Sequence, residues 1–166
     1  YLGSWCHDEI NKNDKKTHKY HWSNLNKFEK DSDLIFTIYN SFLGRLSKRL
    51  NAIHNVNNDV NYWQKVVGPW LLFFVSIVFD RFENLNSLKN KHEITTHLPD
   101  YNIADWIPLD FVDFESLAAS DEWNLYIYSE IIKELNIIQY EETRTRLINT
   151  DLYKRKNENL IKKVIK

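Results

Sequence analysis

The sequence predicts a mostly α-helical fold, and three observations carry that prediction. Apolar residues recur at three- and four-residue steps from Leu34 to Ile53, a second helical stretch follows an asparagine-rich turn, and a third lies near residues 120–136. The expected architecture is a helical hairpin, about 34–54 and 61–82, plus a third helix over about 120–136, with irregular connecting segments.

In the first helix the apolar face is Ile35, Ile38, Tyr39, Phe42, Leu43, Leu46, Leu50 and Ile53, and Ser41, Arg45, Lys48 and Arg49 fall on the face expected to be wet. Ser32 or Asp33 is the expected cap, because residues 7–33 are polar and read as a loop with at most a short helix. Asn55-Val56-Asn57-Asn58-Asp59 is a turn, since these side chains hydrogen-bond nearby backbone and tolerate left-handed conformations. The second helix starts near Asn61 and meets Gly68-Pro69, where the missing N–H and the ring against the Lys65 carbonyl predict a kink or a restart. Trp70 to Phe79 is apolar on nearly all sides, which predicts protein around every face.

Pro99 and Pro108 break any long element between residues 83 and 121, so short helical pieces in irregular chain are expected there. The third helix has Asp121 and Glu122 at its positive N-terminal end, with Leu125, Tyr128, Ile131, Ile132 and Leu135 expected to face inward. From Thr143 to Lys166 the chain is charged with mixed sign and reads as an exposed helix or a linker.

Composition excludes several classes. With 166 residues and 43% hydrophobic content the chain can build a real core, which argues against disorder. Its 22 lysines and arginines against 23 acids give a charge of −1, without the basic excess that nucleic-acid binding requires. A lone cysteine, Cys6, forms no disulfide framework and no CxxC zinc spacing, so a reducing, cytoplasmic setting is expected. The apolar stretch Val66 to Phe79 is interrupted and falls short of the ~20 residues of a membrane-spanning helix, so no transmembrane segment is expected. The sequence has no methionine and begins without signal-peptide features, which suggests that both ends are cut from a longer protein.

Three isolated glycines, Gly3, Gly44 and Gly68, cannot form a phosphate-cradling loop, and no HExxH or nucleophile-elbow pattern is present. No cofactor or metal site is therefore expected within this segment. What remains is a set of polar residues among 6 Trp, 9 Tyr and 9 Phe. His21, between Tyr20 and Trp22, has an imidazole whose reference pKa of ~6.5 suits a general base, and a packed histidine is the alternative. Asn51 and His54 share a helix face beside the turn, positioned either for a ligand hydroxyl or for capping. Asp80 and Arg81 close the apolar helix with partly buried charges: a planar fork suited to phosphate, or an ion pair ending the helix. Trp63 and Trp70 flank Gly68-Pro69 and could hold a sugar face or simply pack.

Taken in order, Leu2-Gly3-Ser4-Trp5-Cys6, Tyr20-His21-Trp22, Leu50-Asn51 with His54, Tyr62-Trp63, Val67-Gly68-Pro69-Trp70-Leu71, Phe79-Asp80-Arg81 and Asp121-Glu122-Trp123-Asn124 resemble the LIC-type transferase family of bacterial surface-carbohydrate biosynthesis. Ser23, Asn24 and Leu25 follow Trp22 where that family tends to carry acidic residues and an arginine. The resemblance implies a glycosyltransferase-like protein with a nucleotide-sugar donor and a carbohydrate acceptor. Residues 1–142 would then be its helical N-terminal domain, and 143–166 a charged helix or linker contacting a C-terminal domain that holds the nucleotide-sugar site. The catalytic candidates are His21, His54, Asp80 and Arg81, and the substrate-binding candidates are Trp22, Asn51, Tyr62, Trp63 and Trp70. The competing expectation is a noncatalytic helical module that docks a protein or a glycan.

Overall fold

The computed structural model describes residues 19–89 and 95–148. Cys6, the 2–6 motif and the chain from residue 149 onward lie outside the described residues. The elements divide between two compact units, one ending at Ser87 and one beginning at Leu88. The fold is mostly α, as the periodicity predicts, with four helices and a two-stranded parallel sheet among the described residues.

The first unit is the predicted hairpin, built from α1 (Leu25–His54) and α2 (Val60–Asn86) after a single 3-10 turn at His21–Ser23. Helix α1 begins nine residues before the expected Leu34, with Asn24 as its cap accepting from the Lys27 backbone N–H, so neither Ser32 nor Asp33 caps it. The reason lies in the buried row, which steps by four through Asp31, Ile35, Tyr39, Leu43 and Ser47. Its first and last members are polar, so an apolar count detects only the middle of the helix. The Ser47 hydroxyl is satisfied by donating to the Leu43 carbonyl.

The turn forms where the asparagines predict it. Asn55 adopts the left-handed conformation at φ 52° and Asp59 caps α2 by accepting from the Tyr62 N–H. Ile35, Tyr39 and Leu43 then meet Leu71, Val75 and Phe79 in one cluster, each large apolar side chain contributing about 1.5–3 kcal/mol on burial. Helix α2 passes through Pro69 without restarting. A side chain is excluded just before it, because a Cβ at Gly68 would stand 2.7 Å from the Tyr39 hydroxyl oxygen. The expected burial of Trp70–Phe79 on all faces is not found: Phe73 is 54% exposed and only the Leu71, Val75 and Phe79 side is fully buried.

In residues 83–121 the expected short helical pieces are joined by an unexpected strand, and residues 143–146, expected to be helix or linker, lie in a second strand. After α2, which itself extends to Asn86, come strand β1 (Thr95–Asp100), a 3-10 turn at Ile103–Trp106, helix α3 (Phe111–Ala118), helix α4 (Asp121–Leu135) and strand β2 (Gln139–Arg146). Strands β1 and β2 pair in parallel, with Thr95 opposite Gln139 and Leu98 opposite Glu142, and the register shifts between Leu98 and Asp100, around Pro99. A parallel pair needs a crossover connection, and α3 and α4 supply it. Polar residues dominate both strands, which is why alternation gave no strand signal.

Helix α4 matches its expected limits, capped by Ser120 and ended by a left-handed Asn136. Its buried side is Trp123, Ile127, Ile131 and Ile132, whereas Leu125 and Leu135 are exposed. Trp123 takes over the inner position by packing edge-on against Phe114 of α3, ring centroids 5.9 Å apart. Tyr101 donates to Glu130 of α4 and lies under the Lys133 ammonium at 4.7 Å. Burial and then the Glu130 carboxylate push the Tyr101 phenol well above its ordinary value of 10.0, and Tyr126 is raised in the same way.

Two predictions follow from this packing. Gly68→Ala gains about 0.5–1 kcal/mol of helix stability in a Tyr39→Phe background and loses that gain to the hydroxyl in the parent chain, a coupling that urea unfolding of the four variants measures. A phenol raised in the folded state contributes stability that is complete below pH 10 and declines above it, as only the unfolded chain ionises readily. The urea midpoint therefore falls as pH rises above about 10, and Tyr101→Phe shrinks that fall.

Candidate functional site

The candidate residues separate into three places along the hairpin. His21, Asp80 and Arg81 come together where the chain before α1 folds back onto the C-terminal part of α2. Asn51, His54, Tyr62 and Trp63 gather at the turn, and Trp70 stands apart from both groups, stacked on Phe74 at 5.4 Å. The twenty residues from Asp31 to Asn51 in one straight helix put the two ends about 30 Å apart, so they cannot serve one small substrate.

At the turn, geometry favours an architectural role. The Asn51 amide donates to the Asn58 carbonyl at 2.8 Å, and its oxygen accepts from the Asn58 N–H at 3.1 Å and from the Trp63 indole N–H at 2.8 Å. All of its hydrogen bonds thus close the loop, each contributing about 0.5–1.5 kcal/mol. His54 lies exposed, stacked over Trp63 with centroids 5.9 Å apart, and Tyr62 meets the same indole edge-on.

At the opposite end lies a buried polar cluster. Asp80, only 4% exposed, accepts from the Tyr20 hydroxyl at 2.6 Å, stands 2.9 Å from His21 Nε2 and pairs with the Arg81 guanidinium. One turn earlier than the apolar period of α1 becomes visible, Asp31 accepts from the Trp22 indole at 2.9 Å and from the Lys27 ammonium at 2.6 Å. Lys27 also reaches Glu83 of α2 at 2.7 Å. Partial burial works to lower the Lys27 pKa, but hydrogen bonds to the two carboxylates prevail and hold it above the ordinary 10.5.

His21 is the chemically distinctive member. Its side chain is 2% exposed, and the Asp80 carboxylate at Nε2 is an acceptor for a ring N–H. Nδ1 is buried without a hydrogen-bond partner, 3.8 Å from Asp31 Oδ2. His21, Asp31 and Glu83 bring potential metal-ligand atoms within 4.8 Å of one another, but the Lys27 ammonium already stands between the two carboxylates and supplies the positive charge there.

Sequence reading found His21, Trp22, Asp80 and Arg81 but missed Lys27, Asp31 and Glu83. The signals were an i,i+4 Lys27–Asp31 pair, hidden by reading residues 7–33 as loop, and an acid three residues after Asp80, at the start of the stretch 83–121 read as irregular. Asp80→Ala strips three donors of their buried acceptor and lowers unfolding stability by about 3–5 kcal/mol, which chemical denaturation measures.

No curated protein and no solved structure matches the chain. Among the described residues no helix is long and apolar enough to cross a membrane. A family match spans residues 1–166 and carries the description LIC12162 family transferase. The ordered motifs around the His21–Asp80 cluster and the turn thus sit within the matched residues, and the chain belongs to the LIC12162 family of transferases.

Proposed function

We propose that this transferase moves a glycosyl group in surface-carbohydrate biosynthesis, and that the cluster around His21 forms the acceptor side of its active site. The observation that carries the reading is His21 Nδ1, buried without a hydrogen-bond partner on a ring whose Nε2 faces Asp80. Burying several charged groups together is costly, and such clusters concentrate where proton transfer is needed.

In this reaction an acceptor hydroxyl oxygen bonds the anomeric carbon of a nucleotide sugar. The glycosyl–phosphate bond breaks, and the nucleoside diphosphate leaves with the electron pair. The hydroxyl proton passes to His21 Nδ1, and Asp80 stabilises the imidazolium that results. Arg81 keeps Asp80 in place, and the Tyr20 hydroxyl fixes the same oxygen that faces Nε2. The imidazole is enclosed, so acceptor entry requires a local opening at Nδ1 that leaves the His21–Asp80 contact in place. In this reading the His21 cluster serves the acceptor alone, and the isolated glycines offer the donor no phosphate-cradling loop.

The same enclosure supports a second reading, in which the cluster clamps a noncatalytic helical module for a protein or glycan partner. His21→Gln separates the two, because its amide can still donate to Asp80 while offering no basic nitrogen. Nucleoside diphosphate release by the full gene product, measured over a panel of nucleotide sugars, is expected to fall about 100-fold or more in that variant with its melting temperature kept. Unchanged turnover with a lowered melting temperature would establish the clamp.

A further inference from the structure

An apolar groove of about 570 Å³ lies along the hairpin, within the size range of ligand sites. Ile38, Phe42 and Leu46 of α1 line one side, and Trp70, Phe74 and Val78 of α2 the other. Arg45 and Arg49 are the charged residues in its lining, and no carboxylate is among the residues that border it.

The arginine pair sets the kind of occupant. Arg45 and Arg49 are one helical turn apart on the exposed side of α1, a spacing at which like charges repel. The guanidinium of Arg45 lies 4.5 Å over the Phe42 ring, and no ion pair among the described residues involves either arginine. The acids of the first unit that are held in ion pairs with lysine or arginine, Asp31, Glu83 and Asp80, serve Lys27 and Arg81 instead. Apolar lining with an uncompensated double cation at the edge is complementary to an amphiphile with an anionic head.

We infer that the groove binds a phosphate monoester of a long apolar chain, the chain lying along the aromatic walls and the phosphate bridging Arg45 and Arg49. Two planar forks one turn apart suit the several oxygens of a phosphate dianion better than a single carboxylate. A second copy docking by the same face would bring four guanidinium groups toward one another, which repulsion disfavours. An apolar protein segment would cover the walls and leave both charges uncompensated. Binding here does not depend on the acceptor role of His21, and the test involves no turnover.

The test is calorimetric titration of the full gene product with dodecyl phosphate below its micellar concentration, alongside dodecyl maltoside and inorganic phosphate. Dodecyl phosphate is expected to bind one to one and at least about tenfold more tightly than either control, with affinity falling as salt rises. The Arg45→Gln/Arg49→Gln double variant, altered only at exposed positions, is expected to lose that tenfold preference and keep its melting temperature. Equal binding of the neutral amphiphile, or a preference untouched by the double variant, would overturn the phosphate assignment. Inorganic phosphate binding as tightly as the amphiphile would overturn the role of the groove, and a dimer by light scattering that excludes dodecyl phosphate would replace it with a second copy.

Discussion

Asp80 is the constraint on which the first unit depends. A carboxylate near the end of an apolar helix, almost wholly removed from water, is tolerable only if donors surround it. One donor comes from the adjacent Arg81, and the others, Tyr20 and His21, come from chain about sixty residues earlier. Satisfying one side chain on α2 therefore fixes where the chain before α1 must lie. Trp22 extends the same tie to Asp31, and Lys27 joins Asp31 to Glu83.

The hairpin is consequently zoned. Its middle is held by the row of Ile35, Tyr39 and Leu43 against Leu71, Val75 and Phe79, where Gly68 admits the Tyr39 hydroxyl. The turn is held by a single side chain, Asn51, whose donors and acceptor are spent on Asn58 and Trp63. Proton chemistry has a ready partner at neither place. The base differs, because there a buried histidine nitrogen has no hydrogen-bond partner while a carboxylate faces the other ring nitrogen.

What the sequence made legible follows from what each signal measures. Period counting registers apolar burial, so Leu34 to Ile53 was read correctly and the first turns of α1, whose buried member is Asp31, were not. Turn chemistry is local, so the Asn55–Asp59 turn and the limits of the third helix were placed to within a residue or two, whereas the expected cap at Ser32 or Asp33 failed with the helix start. Strand β1 carries Pro99, and both strands are short and polar, so their pairing depends on partners some forty residues away that no local pattern encodes. At the site, His21 and Asp80 were visible as polar residues in apolar surroundings. Lys27 and Glu83 were not, because ordinary surface charges look the same in sequence until the fold brings them to one carboxylate cluster.

Charge placement also decides which cation on the hairpin can meet an anionic ligand. Arg81 turns its guanidinium to Asp80, and Lys27 is shared between Asp31 and Glu83, so the positive charges of the base are balanced where they stand. Drawing either away to a phosphate would leave a buried carboxylate without its partner, at a cost that the phosphate contact would have to exceed. Arg45 and Arg49 carry no such obligation: both are exposed, and both border the apolar groove. On the two proposals, proton transfer and anion recognition fall to different parts of the first unit, the first to a compensated cluster that holds an imidazole in place, the second to a pair of guanidinium groups whose repulsion a phosphate would relieve.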